Sequence, residues 1–295
     1  MQASGQWHIE HPSRGDNFSI WSLADWHLFN AACLVDRLKE DIEKIRLDPN
    51  ALWTGVGDYA EFISPSDPRF NPDDVSSEVL ASDLGRIGPK YIKAVLDLMR
   101  PIAHKCLGLG FGNHEFRYMK EKEQQNLHGW LCLELAKFAG HEIPDLGYSA
   151  LFDLVFHRHP NIKRWRGPYR TASPPRFGDV FTLRIYQHHG SGAARTSGGK
   201  LNGLVAKMRE FEADLYFVAH AHEKQDQELP VIGANRDCTH LTEIRRVGVR
   251  TGSYLRTYAQ GQTGYGEMAG FPPSCLGARA VEICPNERRI TKIVL

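Results

Sequence analysis

Short apolar runs alternate with amphipathic helical stretches through the first half of the chain. FSIWSLA (18–24) and ALWTGVGD (51–58) have the length and composition of buried strands, and the stretch 31–45 between them carries apolar residues at helical spacing. The alternation continues with helices predicted over about 90–104 and 126–140 and a strand over 105–110. Helices that alternate with buried strands pack against the faces of a sheet, so this pattern predicts an α/β fold.

The second half of the chain is richer in predicted strands. Strands are predicted over 148–156, 179–189 and 214–222, with a helix over 201–213 and only strands after His240. A β-α-β-α opening followed by a β-rich close predicts a four-layer α/β/β/α sandwich, in which two mixed sheets are flanked by helices. Because no break in composition divides the chain, we expect one domain over 1–295, with insertions near 59–88 and 157–177.

Composition excludes several classes of protein. The 295 residues carry a net charge of +1, and no apolar stretch approaches the roughly 20 residues of a membrane span. The polar N-terminus lacks the apolar run of a secretory signal, so we expect the mature chain to begin here, in the cytoplasm, with no membrane partner. The six cysteines form no CxxC pair, a spacing that suits neither a zinc ribbon nor a disulfide framework.

Five stretches share one feature, which is an apolar run that stops at a side chain able to bind a metal. In open α/β sheets the binding groups gather at the carboxyl ends of the strands, so we expect these stretches to converge although they span most of the chain. They are Asp25-x-His27, Gly57-Asp58, Gly112-Asn113-His114-Glu115, His188-His189-Gly190 and His220-x-His222.

The residue types in these stretches indicate the kind of metal site. Carboxylate, imidazole and amide groups without a thiolate suit Mn, Fe or Zn. The ligands are too many for one tetrahedral ion. Two ions that share a bridging carboxylate would use the whole set, and such a pair holds a phosphoryl group and activates a water. The sequence therefore predicts a dinuclear metal centre that begins with Asp25 and His27.

In these stretches the chain resembles the calcineurin-like metallophosphoesterases. The pattern of that family is DxH, GD, GNH followed by an acid, His and GHxH, and all five elements occur here in this order between residues 25 and 222. The resemblance implies a first ion held by Asp25, His27, Asp58 and His222. It implies a second ion that shares Asp58 and is completed by Asn113, His188 and His220, with His188 chosen because family members with adjacent histidines generally use the first.

The resemblance also implies a mechanism and a cofactor. Asp58 would be catalytic as the bridge between two divalent ions, with Mn expected first and Fe or Zn as alternatives. The nucleophile would be a metal-bridging hydroxide. His114 would be no ligand but an acid that either helps the leaving oxygen or stabilises charge on phosphorus. The chain departs from the pattern at Ala219, where the family usually has glycine. We expect the methyl group to adjust the geometry or the metal preference of the site.

Several neighbouring residues have two interpretations. His189 either binds a metal or supports a ligand, and Glu115 either orients His114 or caps the next helix. Arg117 and Arg195 either reach a substrate phosphate or are ordinary solvated arginines. We therefore treat Arg117, His189 and Arg195 as candidate substrate-binding residues.

The stretch 157–177 mixes basic and aromatic residues. Six basic side chains alternate there with Trp165 and Tyr169, a composition that suits single-stranded nucleic acid through backbone charge and base stacking. The alternative is a solvated insertion loop. We expect a phosphoesterase acting on a phosphodiester, in nucleic acid or a nucleotide. Alternatives are a phosphomonoesterase with the same metal centre and a non-catalytic scaffold of the same fold, and the oligomeric state stays open.

Overall fold

The computed structural model describes residues 1–121, 126–171, 173, 179–192, 194–235, 237–261 and 263–294. The strands are β1 (Gln2–His11), β2 (Phe18–Leu23), β3 (Ala51–Val56), β4 (Cys106–Gly110), β5 (Asp145–Gly147), β6 (Ser149–Arg158), β7 (Arg166–Tyr169), β8 (Val180–His188), β9 (Leu215–Val218), β10 (Gln225–Ala234), β11 (Leu241–Arg250), β12 (Arg279–Cys284) and β13 (Arg289–Val294). The α-helices are α1 (Val35–Leu47), α2 (Ile87–Met99), α3 (Asn113–Glu121), α4 (Leu127–Ala139), α5 (Ser197–Glu210) and α6 (Tyr265–Met268).

The strands form two mixed sheets. The smaller sheet has the order β13-β12-β2-β3-β4-β5, and the larger has the order β10-β11-β9-β8-β6-β1-β7. In the smaller sheet β2, β3, β4 and β5 are parallel and β12 runs antiparallel to β2. In the larger sheet β8, β9 and β11 are parallel, whereas β6 and β10 run antiparallel to their neighbours β8 and β11.

The buried side chains place the layers. Phe18 and Leu52 of the smaller sheet pack against Phe152 and Phe217 of the larger one, which fills the space between the two sheets. The outer face of the smaller sheet is covered by α1, α2 and α4, and that of the larger sheet by α5. Two sheets stacked face to face between helices are the predicted α/β/β/α sandwich, so that prediction is confirmed.

The helix predicted over 126–140 forms as α4, whose ends follow ordinary capping rules. The side chain of Asn126 accepts from the backbone N of Gly129, and Gly140 ends the helix in a left-handed conformation with φ of 76°. By contrast, α1 begins at Val35 rather than at residue 31. Residues 31 and 32 form a turn instead, and Asn30 and Cys33 make bridges to residues 75 and 255.

The polar N-terminus is a strand of the larger sheet, which the sequence pattern did not predict. β1 pairs with β6 and β7, and it places Trp7 and Ile9 between the sheets. His8 and His11 on the same strand are also buried, so this polar sequence forms a strand that is covered on both faces. No helix in the described ranges is both long enough and apolar enough to cross a bilayer.

Candidate metal centre

The five stretches meet at one end of the sandwich. β2, β3 and β4 are parallel, so the loops that follow them, with Asp25, Asp58 and Asn113, leave the same edge of the smaller sheet. β8 and β9 of the facing sheet are also parallel, and they end just before His189 and His220. The predicted convergence of both sheets on one site is therefore what the fold produces.

Ligand-type atoms lie within bonding reach of a shared ion. The side-chain Nε2 atoms of His27 and His222 are 3.2 Å apart, and Asp25 Oδ1 is 3.6 Å from His222 Nε2. His189 Nε2 lies 3.1 Å from both Asp58 Oδ2 and Asn113 Oδ1. Three groups have all their ligand atoms within 4.8 Å of one another: Asp25, His27 and His222; His27, Asp58 and His114; and Asp58, His189 and His220.

The backbone of the site is strained at the ligand-type residues. Asp25, His27, Asp58, His220 and His222 all have positive φ, between 50° and 71°. Non-glycine residues seldom adopt this conformation, and it persists only where the surroundings enforce it. Here Asp25 donates its backbone N–H to Gly57 O at 3.0 Å and His27 donates to Asp58 O at 3.1 Å, so the two loops hold each other.

Glu115 joins the loops from the underside of the site. Its buried carboxylate accepts from the backbone N of Asp58 at 2.9 Å, of Tyr59 at 2.7 Å and of Gly112 at 2.9 Å. The bond to Gly112 caps α3, as the second interpretation of Glu115 predicted, and the other two fix the loop after β3. The loops can touch because position 57 is glycine, with φ of 97°, where any side chain would overlap the backbone N of Gly112.

The hydrogen bonds orient two imidazoles as metal ligands are oriented in proteins. His189 Nδ1 donates to Val56 O at 2.8 Å, and His27 Nδ1 bonds Glu61 Oε2 at 3.0 Å. With Nδ1 carrying the proton, each neutral ring turns the lone pair of Nε2 toward the cluster, which is how metal-bound histidines are usually held. A lone pair that faces carboxylate and amide oxygens at 3.1 Å is stabilised by a cation between them.

The charges of the site also favour a cation. Burial lowers the pKa of His27, but the hydrogen bond and charge of Glu61, with Asp58 and Asp25, outweigh it and raise that pKa to about 9. Burial likewise lowers the pKa of His189, and Asp58 outweighs it to raise the pKa to about 9. The carboxylates therefore create a negative potential at the ring nitrogens, which a proton or a metal ion neutralises.

One buried oxygen supports a metal directly. Asp25 Oδ1 is fully buried and has no hydrogen-bond partner among the residues that the structure describes. A buried carboxylate oxygen without a partner is costly, and His222 Nε2 lies 3.6 Å from it. Ligands of a tetrahedral ion, bound at about 2.0–2.1 Å, lie about 3.4 Å apart, which matches the measured separations. These clusters are therefore able to hold metal.

The two adjacent histidines, His188 and His189, face in different directions. Along β8, Leu183 and Ile185 face the other sheet whereas Tyr186 faces α5. Because side chains alternate along a strand, His189 turns toward the cluster and His188 turns away from it. His188 Nδ1 accepts from the backbone N of Gly190 at 2.7 Å, and burial, then the Lys207 charge, lowers its pKa to about 4. The structure places His189, rather than His188, in a ligand group, which does not support the predicted metal-ligand role of His188.

Two predicted substrate-binding arginines have other partners. Arg117 Nε lies 2.8 Å from Glu121 and 3.3 Å from Asp67, and the Arg195 guanidinium lies 5.8 Å from the centre of the Phe271 ring. Their proposed contacts with substrate stay predictions. The other predicted site residues lie at the converging loops: Asp25, His27, Asp58, Asn113, His114, His189, His220 and His222.

Sequence reasoning missed two residues that touch the site. Glu61 holds His27, and Arg69 Nη1 lies 3.5 Å from His114 Nε2. Glu61 follows Asp58 by three residues, and that short spacing was the available signal. Arg69 lies in a segment without regular periodicity, so nothing local linked it to the metal motifs.

The described residues 163–166 of the basic-aromatic stretch lie at the other end of the sandwich. Trp165 Nε1 donates to Pro49 O at 2.9 Å, and its ring packs edge-on against Phe18, 5.6 Å between centroids. Pro49 precedes β3 and Phe18 begins β2, so this contact is about 20 Å of strand away from the ends that carry the site. Trp165 therefore lies away from the candidate metal centre, and Arg176 lies outside the described residues.

The methyl group of Ala219 is accommodated by packing. Ala219 is fully buried and packs with Ala24 and Val56, directly under the converging loops. Its backbone N donates to His189 O at 3.1 Å. The predicted effect of Ala219 on metal preference stays a prediction.

No protein-family model matches the chain, and no curated protein matches it. Among solved structures, the chain is similar to a single mutant of Vps29 from Entamoeba histolytica, with 11% identity, a TM-score of 0.38 and coverage of 90% of this chain and 86% of that one. It is similar to a conserved protein described as a predicted phosphoesterase from Streptococcus pneumoniae, with 11% identity, a TM-score of 0.32 and coverage of 91% and 84%. It is also similar to GAP50, the anchor in the inner membrane complex of Plasmodium, with 12% identity, a TM-score of 0.39 and coverage of 90% and 81%.

Proposed function

We propose that this protein is a metal-dependent phosphoesterase with two divalent ions. The observation that carries the proposal is the position of Asp58, whose buried carboxylate lies within 4.8 Å of ligand atoms of His27 in one group and of His189 and His220 in another. One ion would be held by Asp25, His27, Asp58 and His222. The other would be held by Asp58, Asn113, His189 and His220.

When bound, two such ions neutralise charge on a phosphoryl group and lower the pKa of water. Asp58 keeps the two ligand groups together, and the His189 and His114 charges outweigh burial to hold the pKa of Asp58 well below its usual range. Oxygen and nitrogen ligands without thiolate favour Mn, with Fe and Zn as alternatives.

His114 is the residue we propose as the acid. Its Nδ1 donates to the backbone O of Glu61, which fixes the ring, and its Nε2 faces the Arg69 guanidinium. His114 belongs to one ligand group, but its Nε2 lies 3.5 Å from the cationic Arg69 guanidinium, which disfavours a metal ion at that nitrogen. We therefore propose that His114 donates the proton that the leaving oxygen receives.

Aromatic side chains beside the site favour a substrate with a planar group. The Phe111 and Phe116 rings are nearly parallel, 6.0 Å apart, and Phe116 is 51% exposed. Tyr148 continues this row, 6.2 Å from Phe111 and 5.4 Å from the His189 ring. A nucleobase stacks on such rings, so we propose a phosphodiester of a nucleotide or of single-stranded nucleic acid. The alternative is a phosphomonoester at the same centre.

The test is hydrolysis of a matched panel after Mn²⁺ loading, with Asp58→Ala as the blank. The panel contains single- and double-stranded DNA, RNA, cyclic mono- and dinucleotides, and phosphomonoesters. Cleavage of diesters that is absent from the blank supports the proposal. Turnover confined to monoesters would refute the proposed phosphodiester substrate and favour a phosphomonoester. Two bound metals without turnover of any ester would make the protein a scaffold of this fold.

A further inference from the structure

A second ionic cluster adjoins the metal centre and is built from the segment between β3 and α2. Asp67 is 4% exposed, and its carboxylate accepts from Arg69 Nε at 3.1 Å and from Arg69 Nη2 at 2.8 Å. The backbone N of Arg69 donates to the same carboxylate at 2.9 Å. Arg117 Nε of α3 lies 3.3 Å from Asp67, so the carboxylate ties this segment to the helix that carries His114.

This arrangement fixes the guanidinium and leaves one of its nitrogens directed at the site. Nε and Nη2 of Arg69 are occupied by Asp67, whereas Nη1 lies 3.5 Å from His114 Nε2. The Arg69 side chain is 24% exposed, so it lies at the mouth of the centre rather than in the core. Burying an ion pair costs desolvation energy, so the pair of Asp67 and Arg69 adds little to the stability of this segment.

The guanidinium presents a donor beside His114. Nη1 of arginine is always a donor, and it lies 3.5 Å from His114 Nε2 while Nε and Nη2 are held by Asp67. A guanidinium fixed by one edge can donate from its other edge to an anionic phosphoryl oxygen, and such charge-assisted hydrogen bonds are stronger than neutral ones.

We propose that Arg69 is a substrate-binding residue that holds a phosphoryl oxygen beside His114, and that Asp67 is the residue that positions it. This inference rests on the proposed phosphoesterase function. Arginine suits the role because its planar fork bonds Asp67 with one edge and keeps a free donor for phosphate. The predicted phosphate contact of Arg117 is then indirect, since Arg117 acts through Asp67.

The experiment is calorimetric titration of the Mn²⁺-loaded full chain with inorganic phosphate. We expect Arg69→Ala to weaken phosphate binding by about 10- to 100-fold, the range for a hydrogen bond to a charged group. Its bound manganese should stay at the wild-type level, because Arg69 contacts no proposed ligand. Arg69→Lys keeps the charge and loses the planar fork, so its phosphate affinity should lie between those of the wild type and Arg69→Ala. The matched control is Arg86→Ala, an exposed arginine before α2.

Asp67→Asn separates positioning from folding. It keeps Arg69 but weakens its anchor, so phosphate binding should weaken while Arg69→Ala in the same background adds little. Phosphate affinity in both Arg69 variants within twofold of wild type would overturn the inference. Phosphate binding that depends on Arg69, without turnover of any ester, would support the inference and refute the proposed function, so the two failures are distinguishable.

Discussion

Replacing Glu115 by glutamine tests whether this carboxylate holds the two motif loops together. Oε2 accepts from the backbone N of Asp58 and of Gly112, and Oε1 accepts from the backbone N of Tyr59. Glutamine keeps one oxygen, so its NH₂ group faces at least one of these buried donors. The variant therefore loses at least one hydrogen bond to a charged group, a loss of about 1.5–3 kcal/mol in the free energy of unfolding.

Glutamine is the informative substitution because its effect is measurable. Alanine would leave three buried donors without a partner, at about 1–3 kcal/mol each, which approaches the whole stability of a typical domain. Glu115→Gln changes neither volume nor shape. Lost packing therefore does not contribute to the expected loss, which reflects the removed carboxylate oxygen and its charge.

The assay is urea unfolding of the full chain in the presence of a chelator, because a bound metal would add its own stabilisation. Glu121→Gln, at the exposed end of the same helix, is the matched control and should change the free energy of unfolding by less than about 0.5 kcal/mol. Glu115→Gln and Glu121→Gln with equal stabilities would refute the proposed role of Glu115.

Three further predictions concern the site and its surroundings. His189→Ala should lose bound Mn²⁺ whereas His188→Ala keeps it, because only His189 faces Asp58; equal metal contents by mass spectrometry would contradict this. Ala219→Gly should lower the free energy of unfolding by about 1–2 kcal/mol through the lost methyl and added chain entropy; a more stable variant in urea would show that the methyl is strained. Trp165→Ala should leave kcat/KM on every active ester unchanged, because its ring lies at the far end; a tenfold loss in a folded variant would contradict that placement.

The fold was predictable because its elements have strong local signals. Apolar runs such as FSIWSLA and the capped helix at 127–139 need no tertiary context to be identified. β1 was not predictable in this way, since its polar residues His8 and His11 are buried by neighbours distant in sequence. Burial of a polar side chain is a property of the assembled sheets, and no window of sequence contains it.

The convergence of the five stretches was predictable from the sequence, whereas the choice between adjacent histidines required the register of one strand. Sequence could have identified His189, because Leu183, Ile185 and position 189 share one face of an alternating strand. Tyr186 obscured this pattern, since it is also buried, against α5 on the other face. The position of Arg69 beside His114 was not predictable from the sequence, because it depends on an irregular segment that folds back over the site.

The most direct test of the proposed centre is the number of metal ions bound per chain. The full chain and Asp58→Ala would be loaded with Mn²⁺, desalted and measured by plasma mass spectrometry against protein concentration. Because the Asp58 carboxylate groups with His27 on one side and with His189 and His220 on the other, we predict two ions per chain in the wild type and less than one in Asp58→Ala. Two ions retained in the folded Asp58→Ala variant, or none bound by the wild type, would contradict the account.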